Sequence, residues 1–442
     1  MKRLISFLVC TIAVSLLLYE TISAQTRVAN LRCEYLINPI GLDTPSPRFT
    51  WEIESDKGFV QKAWQINVAS TPELLSQGKA DVWRSEKIES SENLTACSGC
   101  KVLEAHKQYF WNVQIWSNTG KVRDAHIPVA SFEMAKINER EWVADWISDN
   151  FDREFRKAPM FRKSFSLGKS VRQARAYVCG IGYYELYING NKVGDHYLDN
   201  KLMSKFSSLL GKDSRPYEQK AEELRTLINR TWYNKGTALY ATGTQAGQAI
   251  SQALEIAEPS EEQKIADRLV QMIRKNNYSL DFGMLGSKLV PAMLTKYGYV
   301  KDAYRMITKK EAPSWANWIE IGLTSLPETW VLDKDFKDAS LNHVFLGDVT
   351  AWMTNTIAGI NYDEQRPAFK HIILHPYFIK DINWAKGEYH SVNGLIRSEW
   401  KREAGKVRLS ATIHANTTAT LYVDRKKVEL KSETYTFAIA DK

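Results

Sequence analysis

A chain of 442 residues with 44% hydrophobic and 25% charged side chains has ordinary globular composition and room for about three domains. This excludes a disordered tail, a collagen-like fibre and a small disulfide scaffold. The lone apolar run near membrane-span length, at the N-terminus, excludes a polytopic membrane protein. The net charge of +8, from 59 basic and 51 acidic residues, is scattered without a Lys/Arg block, so it reads as solvated surface and no nucleic-acid partner is expected.

Residues 1–24 read as a secretory signal. Lys2 and Arg3 form a positive start, Leu4 to Leu18 is almost wholly apolar, and Ser23-Ala24 supplies small residues before a cut. The expectation is an exported, periplasmic or extracellular protein with no membrane span once the signal is removed. Cys10 lies too early, behind Val9, for a lipid anchor. Export places Cys33, Cys97, Cys100 and Cys179 where disulfides form. Cys97-x-x-Cys100 lacks a second Cys or His pair, so a loop disulfide or two unpaired cysteines is favoured over a metal half-site, and no metal is expected.

From Val28 to Met134 the pattern has period two. Trp64, Ile66 and Val68 fall on one face, as do Tyr109, Trp111, Val113 and Ile115, which predicts a fibronectin- or immunoglobulin-like β-sandwich over 25–138. Its aromatic stripe reads as core. Residues 139–199 hold a second β segment, in which Tyr184, Leu186 and Ile188 lead into the hairpin signal Asn189-Gly190. That is too little for a free-standing sheet, so the domain is partial.

Between 200 and 363 the period becomes helical. Ser260-Glu261-Glu262-Gln263 reads as a capping box ahead of Ile265, Leu269, Met272 and Ile273. Helices are also expected over Tyr217–Tyr233, Gln245–Ile256, Leu289–Tyr297 and Leu341–Ile357, roughly seven in about 160 residues in all. From 364 to 442 alternation returns in Val407, Leu409, Ala411 and Ile413, then Ala419, Leu421 and Val423, predicting a small antiparallel β-domain.

The chain contains no P-loop, dinucleotide fingerprint, nucleophile elbow or zinc-binding helix motif. What remains is a cluster of indoles, carboxylates and an imidazole from Pro313 to Trp352, with Trp315, Trp318, Glu320, Glu328, Trp330, Asn342, His343 and Trp352. Carboxylates among indoles suit glycoside chemistry, because aromatic faces stack on sugar rings and a partly desolvated carboxylate serves as acid or base. From composition alone the plainer reading, helix-packing tryptophans and a surface glutamate, is favoured.

Motifs along nearly the whole chain resemble those of bacterial α-L-rhamnosidases, glycoside hydrolase family 78. The N-terminal sandwich of that family is matched by Pro47-Arg48-Phe49-Thr50-Trp51, Gln61-Lys62-Ala63-Trp64-Gln65-Ile66 and Tyr109-Phe110-Trp111-Asn112-Val113. Glu141-Trp142, Trp146-Ile147, Gly182 to Gly190 and Val193-Gly194-Asp195 look like its next β-domain. Thr244-Gln245, Phe282-Gly283-Met284-Leu285-Gly286, Pro313-Ser314-Trp315, Glu328-Thr329-Trp330 and Ser340-Leu341-Asn342-His343 follow the order of late helices in its (α/α)₆ barrel. Ser391-Val392-Asn393-Gly394 and Trp400 resemble its closing β-domain. The resemblance implies a multidomain β plus α fold. Its parts are a β-sandwich, a partial jelly-roll-like domain, an incomplete (α/α)₆ barrel and a C-terminal antiparallel β-domain.

The family carries its general acid in a motif of the form R-x-E-x-x-G-W-x-G-D, and this chain has no Gly-Trp dipeptide at all. Twelve barrel helices need well over ~200 residues, more than the helical segment offers. A central block is therefore missing at the junction near Asp199 to Lys201. Carried over by motif, Glu328 is the catalytic general base, His343 a sugar-hydroxyl ligand, Trp330 a wall of the pocket and Trp315 a further candidate for that wall. Nothing maps to the acid, and Glu320 has only its proximity in sequence. The implied reaction is inverting hydrolysis of terminal α-L-rhamnose on glycans or glycosides, impaired here, with no cofactor. The alternative is a non-catalytic, carbohydrate-binding or non-functional remnant.

Overall fold

The computed structural model describes residues 26–135 apart from 56–57, 118–119 and 123–126, scattered positions between 145 and 192, and residues 215–332 and 340–441. The signal segment, Cys179, the motif residues Glu141, Trp142, Trp146 and Gly182 to Glu185, Val193-Gly194-Asp195 and the 199–201 junction lie outside them. The chain divides into two compact units, residues 1–141 with 233–442, and residues 142–232.

In the first unit, period-two alternation forms strands β1 (Arg27–Cys33), β2 (Arg48–Glu54), β3 (Gln61–Ala69), β4 (Trp83–Arg84), β5 (Leu94–Ala96), β6 (Gln108–Ser117), β7 (Gly120–Lys121) and β8 (Ala130–Glu133). They make one sheet in the order β1-β2-β5 and another in the order β4-β3-β6-β7, with β8 also on β6. A short helix α1 (Pro72–Ser76), capped by Thr71, follows β3. The inward positions of β3 and β6 are those the alternation marks: Trp64, Ile66, Val68, Tyr109, Trp111, Val113 and Ile115 are all buried. Trp51 donates its indole N–H to Gln61 Oε1 at 2.9 Å, so this buried tryptophan keeps its polar atom satisfied. Cys97 and Cys100 are joined as a disulfide, and burial raises the thiol pKa of the free Cys33.

The second unit contributes the hairpin β9 (Tyr187–Ile188) and β10 (Asn191–Lys192), and helix α2 (Arg215–Trp232). Asn189 and Gly190 both have positive φ, 51° and 80°, as a two-residue hairpin turn of the Asn-Gly type requires.

The chain returns to the first unit with the short pair β11 (Tyr233–Asn234) and β12 (Leu239–Tyr240). Helices α3 (Gln245–Ala253), α4 (Glu262–Lys275), α5 (Met284–Lys296), α6 (Val300–Thr308), α7 (Trp315–Glu320) and α8 (Val349–Trp352) follow. With α2 they make seven α-helices between 215 and 352 among the described residues. Two local expectations need correction. The capping box does not form: α4 is preceded by Glu261 in helical conformation with no side-chain cap. Glu261 is drawn instead to the Tyr233 hydroxyl at 2.8 Å and Lys264 at 2.9 Å. The helix expected over Leu341–Ile357 is broken into a 3₁₀ turn at Val344–Leu346, α8, and a π turn at Met353–Ile357, because His343 is extended (φ −132°, ψ 130°).

Strands β13 (Ile360–Tyr362), β14 (His371–Leu374), β15 (Trp384–Ser391), β16 (Gly394–Glu403), β17 (Lys406–Thr412), β18 (Thr418–Val423), β19 (Lys426–Leu430) and β20 (Thr434–Ala440) close the chain. They form two four-stranded sheets, β13-β14-β18-β19 and β15-β16-β17-β20. The domain is not purely antiparallel, since β14 and β18 run parallel from His371↔Thr418 to Leu374↔Leu421. The chain leaves the first sheet after β14, builds β15 to β17 in the second, and re-enters in the same direction. Trp400 is fully buried and donates to Ile357 O at 2.8 Å, so one continuous core runs from the helices into these sheets.

The N-terminal sandwich and the C-terminal β-domain meet. Asn416 Oδ1 accepts the buried N–H of Gln61 at 3.1 Å, Asn416 Nδ2 donates to Ser91 O at 2.8 Å, and Lys370 Nζ donates to that same carbonyl at 2.6 Å. Ala415 belongs to the N-terminal core.

Candidate functional site

Two stretches of irregular chain are paired to form the site. His343 N–H donates to Leu326 O at 2.7 Å, and Glu328 N–H donates to Ser340 O at 2.8 Å. The hydroxyl of Ser325 donates to Leu341 O. In return, Ser340 N–H donates to Glu328 Oε2 at 3.2 Å, which fixes one carboxylate oxygen against the facing backbone. Glu328 and His343, fifteen positions apart in sequence, are thereby held on one pair of segments.

Glu328 is exposed, and His343 and Trp330 are half-buried. His343 Nδ1 accepts the N–H of Phe345 at 3.3 Å, and the ring stands edge-on to Phe345 at 3.9 Å. In the neutral ring that acceptor role puts the proton on Nε2, which is then a donor.

Trp330 sits in an aromatic cage. It stacks on Trp318 with centroids 4.8 Å apart and planes 14° apart, meets Trp315 edge-on at 4.8 Å, and meets Phe282 edge-on at 6.0 Å. Its indole N–H donates to Phe282 O, and its own carbonyl accepts from Trp318 Nε1 at 3.4 Å. Trp315 is placed differently from Trp330. It is only 5% exposed and donates its indole N–H to Leu346 O at 2.8 Å. It therefore backs Trp330 from the core and offers no open face. Glu320 is engaged by Lys310 at 2.9 Å.

The structure thus gathers Glu328, Trp330 and His343 around the paired segments and sets Trp315 behind them. Sequence reasoning counted Trp318 in the cluster without giving it a role, and gave Phe282 no place in the site. A signal for Trp318 exists, since Trp315 and Trp318 are three apart and share a face of α7. The part played by the Ser340 backbone has no side-chain signal. Among the described residues no group of three or more His, Cys, Asp or Glu is arranged to hold a metal, and no helix is long and apolar enough to cross a membrane.

The first unit thus combines a β-sandwich, a helical segment and a closing β-domain, with a carboxylate, an indole and an imidazole on one loop pair after α7. Comparison with known proteins finds relatives for these parts. Residues 195–357 match the bacterial α-L-rhamnosidase six-hairpin glycosidase domain, 359–437 the bacterial α-L-rhamnosidase C-terminal domain, 169–210 an α-L-rhamnosidase N-terminal domain, and 28–138 the N-terminal immunoglobulin domain of Rha78A-like proteins. An α-L-rhamnosidase of Formosa agariphila is 36% identical over 185 residues, 37% of this chain and 19% of that protein. One from Streptomyces avermitilis is 27% identical over 228 residues, 50% of this chain and 22% of that protein. The matches span about a fifth of the length of these relatives. The solved α-L-rhamnosidase of Dictyoglumus thermophilum shares the fold, with a TM-score of 0.77 at 14% identity over 94% of this chain and 99% of that one. Segment by segment, the chain is thus similar to bacterial α-L-rhamnosidases, in sequence over these matched domains and in fold over most of its length.

Proposed function

We propose that this protein is an exported glycosidase of the α-L-rhamnosidase type, directed at terminal α-L-rhamnose on glycans or glycosides, with strongly impaired turnover. The observation that carries the reading is the reciprocal pairing of Glu328 with Ser340, beside the pairing of Leu326 with His343. It holds a carboxylate, an imidazole donor and the half-buried indole of Trp330 on one short loop pair.

In an inverting glycosidase a carboxylate activates water on one face of the sugar, while an acid roughly 6.5–9.5 Å away protonates the leaving oxygen. Glu328 is the carboxylate we assign to the water. Ser340 N–H orients one oxygen, and the other is free of hydrogen bonds among the described residues. His343 Nε2–H suits a ring hydroxyl, and the Trp330 face suits the apolar side of a deoxy sugar. The general-acid motif is absent, and Glu320 is occupied by Lys310. Loss of general acid catalysis alone costs about 10²–10⁴-fold. The chemistry that survives is therefore selective for leaving groups that need little protonation.

The test is an assay of the purified protein on an aryl α-L-rhamnoside and on a natural rhamnoside, with Glu328→Gln alongside. We expect weak activity on the aryl substrate, lost in the variant, and none measurable on the natural one. Robust turnover of the natural substrate, or aryl activity indifferent to Glu328→Gln, would refute the assignment. L-Rhamnose binding with no turnover of either substrate supports the alternative, a carbohydrate-binding remnant.

A further inference from the structure

We propose that Phe282 and Gly286 are positioning residues that hold Trp330, and through it the Glu328 segment, in register. The proposal rests on the reading of Glu328 and Trp330 as parts of a sugar site. It begins with a backbone group left over by a helix. The first carbonyl of α5 to accept a helical N–H is that of Gly283, from Ser287 at 3.1 Å. The carbonyl of Phe282, one residue earlier, has no helical donor, and the indole N–H of Trp330 takes it.

That carbonyl can be reached because of where the Phe282 ring goes. The ring is buried and folds back over the first turn of α5 onto Gly286. A Cβ at Gly286 would lie 2.3, 2.5 and 2.9 Å from Phe282 Cβ, Cγ and Cδ2, far inside van der Waals contact. The glycine serves no turn here, since it sits inside the helix. Its bare Cα makes room for the ring. The ring then meets Trp330 edge-on at 6.0 Å and lies 6.4 Å from Trp315. Trp330 is thus held by the Phe282 carbonyl at its N–H and by Trp318, Trp315 and Phe282 around its ring. Glu328, two residues before it, is anchored on its other side by Ser340. Moving the Phe282 backbone would release the only hydrogen bond described for the Trp330 side chain and slacken the segment bearing the carboxylate.

The experiment uses the full chain with Gly286→Ala, Trp330→Phe and the double variant. Near-ultraviolet circular dichroism reports the indole cluster, and titration with L-rhamnose reports the site. Gly286→Ala should retain wild-type far-ultraviolet dichroism, change the near-ultraviolet bands, and weaken L-rhamnose binding about fivefold, the worth of one ordinary net hydrogen bond. In the Trp330→Phe background, where the N–H donor is already gone, Gly286→Ala should add less than about twofold, because the two changes break the same link. If the two losses multiply, or if Gly286→Ala alters neither spectrum nor affinity while wild type binds L-rhamnose, the positioning role is wrong and the sugar-site reading stands. If wild type does not bind L-rhamnose, the sugar-site reading falls; a spectral change in Gly286→Ala then marks a packing contact only, and the positioning role falls with it. Should Gly286→Ala fail to fold, Phe282→Leu takes its place, and wild-type affinity in that variant overturns the proposal.

Discussion

Replacing Asn416 with alanine should loosen the joint between the N-terminal sandwich and the C-terminal β-domain. Asn416 sits at φ 62°, in the left-handed region that asparagine tolerates better than alanine. Its side chain satisfies the buried Gln61 N–H and shares Ser91 O with Lys370. Alanine would leave the Gln61 N–H unpaired in the interior, at a cost of about 1–3 kcal/mol, and forfeit the bond to Ser91 O, about 0.5–1.5 kcal/mol. The strained backbone adds about 1 kcal/mol. The total, roughly 2.5–5.5 kcal/mol, is a large share of the 5–15 kcal/mol typical of a folded protein. Asn416→Gly keeps the backbone conformation and loses only the hydrogen bonds, so it should be about 1 kcal/mol less damaging than alanine. Hydrogen exchange gives a local readout, because the amide of Gln61 should lose protection in both variants. Unchanged protection at Gln61, with a shift in stability below about 0.5 kcal/mol, would show that the Asn416 side chain does not hold the joint.

Acidification should destabilise the C-terminal sheets. His371 is buried with its ring nitrogens 2.6 and 2.9 Å from the hydroxyls of Thr418 and Thr420, and desolvation lowers its pKa, as it does that of His375. With folded-state values below the usual 6.5, the unfolded chain binds more protons as pH falls, so stability is full above about pH 6.5 and drains away below it. Urea unfolding at pH 7 and pH 5 checks this, and a midpoint that rises on acidification would contradict it. Asp302→Asn should cost about 1–2 kcal/mol, since Asp302 receives both Arg274 Nε and Nη2 at 2.7 and 2.8 Å but Arg274 is half exposed; a urea midpoint equal to wild type counts against it. Gly387→Ala should cost about 1–3 kcal/mol, because its Cβ would come within 2.4 Å of the Cβ of Ala358, at the end of the π turn. A melting temperature no lower than wild type would show that the strand moves freely.

The sequence by itself determined the layers. Strict alternation in β3, β6 and β17 named the buried faces, because a strand offers only two sides and one must meet the core. The Asn189-Gly190 turn was legible for a comparably local reason, the positive φ that few residues accept. Glu328, Trp330 and His343 could be picked out by motif, yet their motif could not say which indole faces outward. Tertiary structure decided that Trp315 is core and Trp330 is half-buried, since an amphipathic indole serves either role until neighbouring segments pack against it. It also overruled the Ser260 capping box, where Tyr233 and Lys264 claimed Glu261, and broke the helix expected from Leu341, where His343 is extended and pairs with Leu326. The parallel pairing of β14 with β18 and the joint at Asn416 were beyond any local pattern. Both join residues 47 to 355 positions apart, and contacts at that range are chosen by the packing of whole domains rather than by the propensity of any segment.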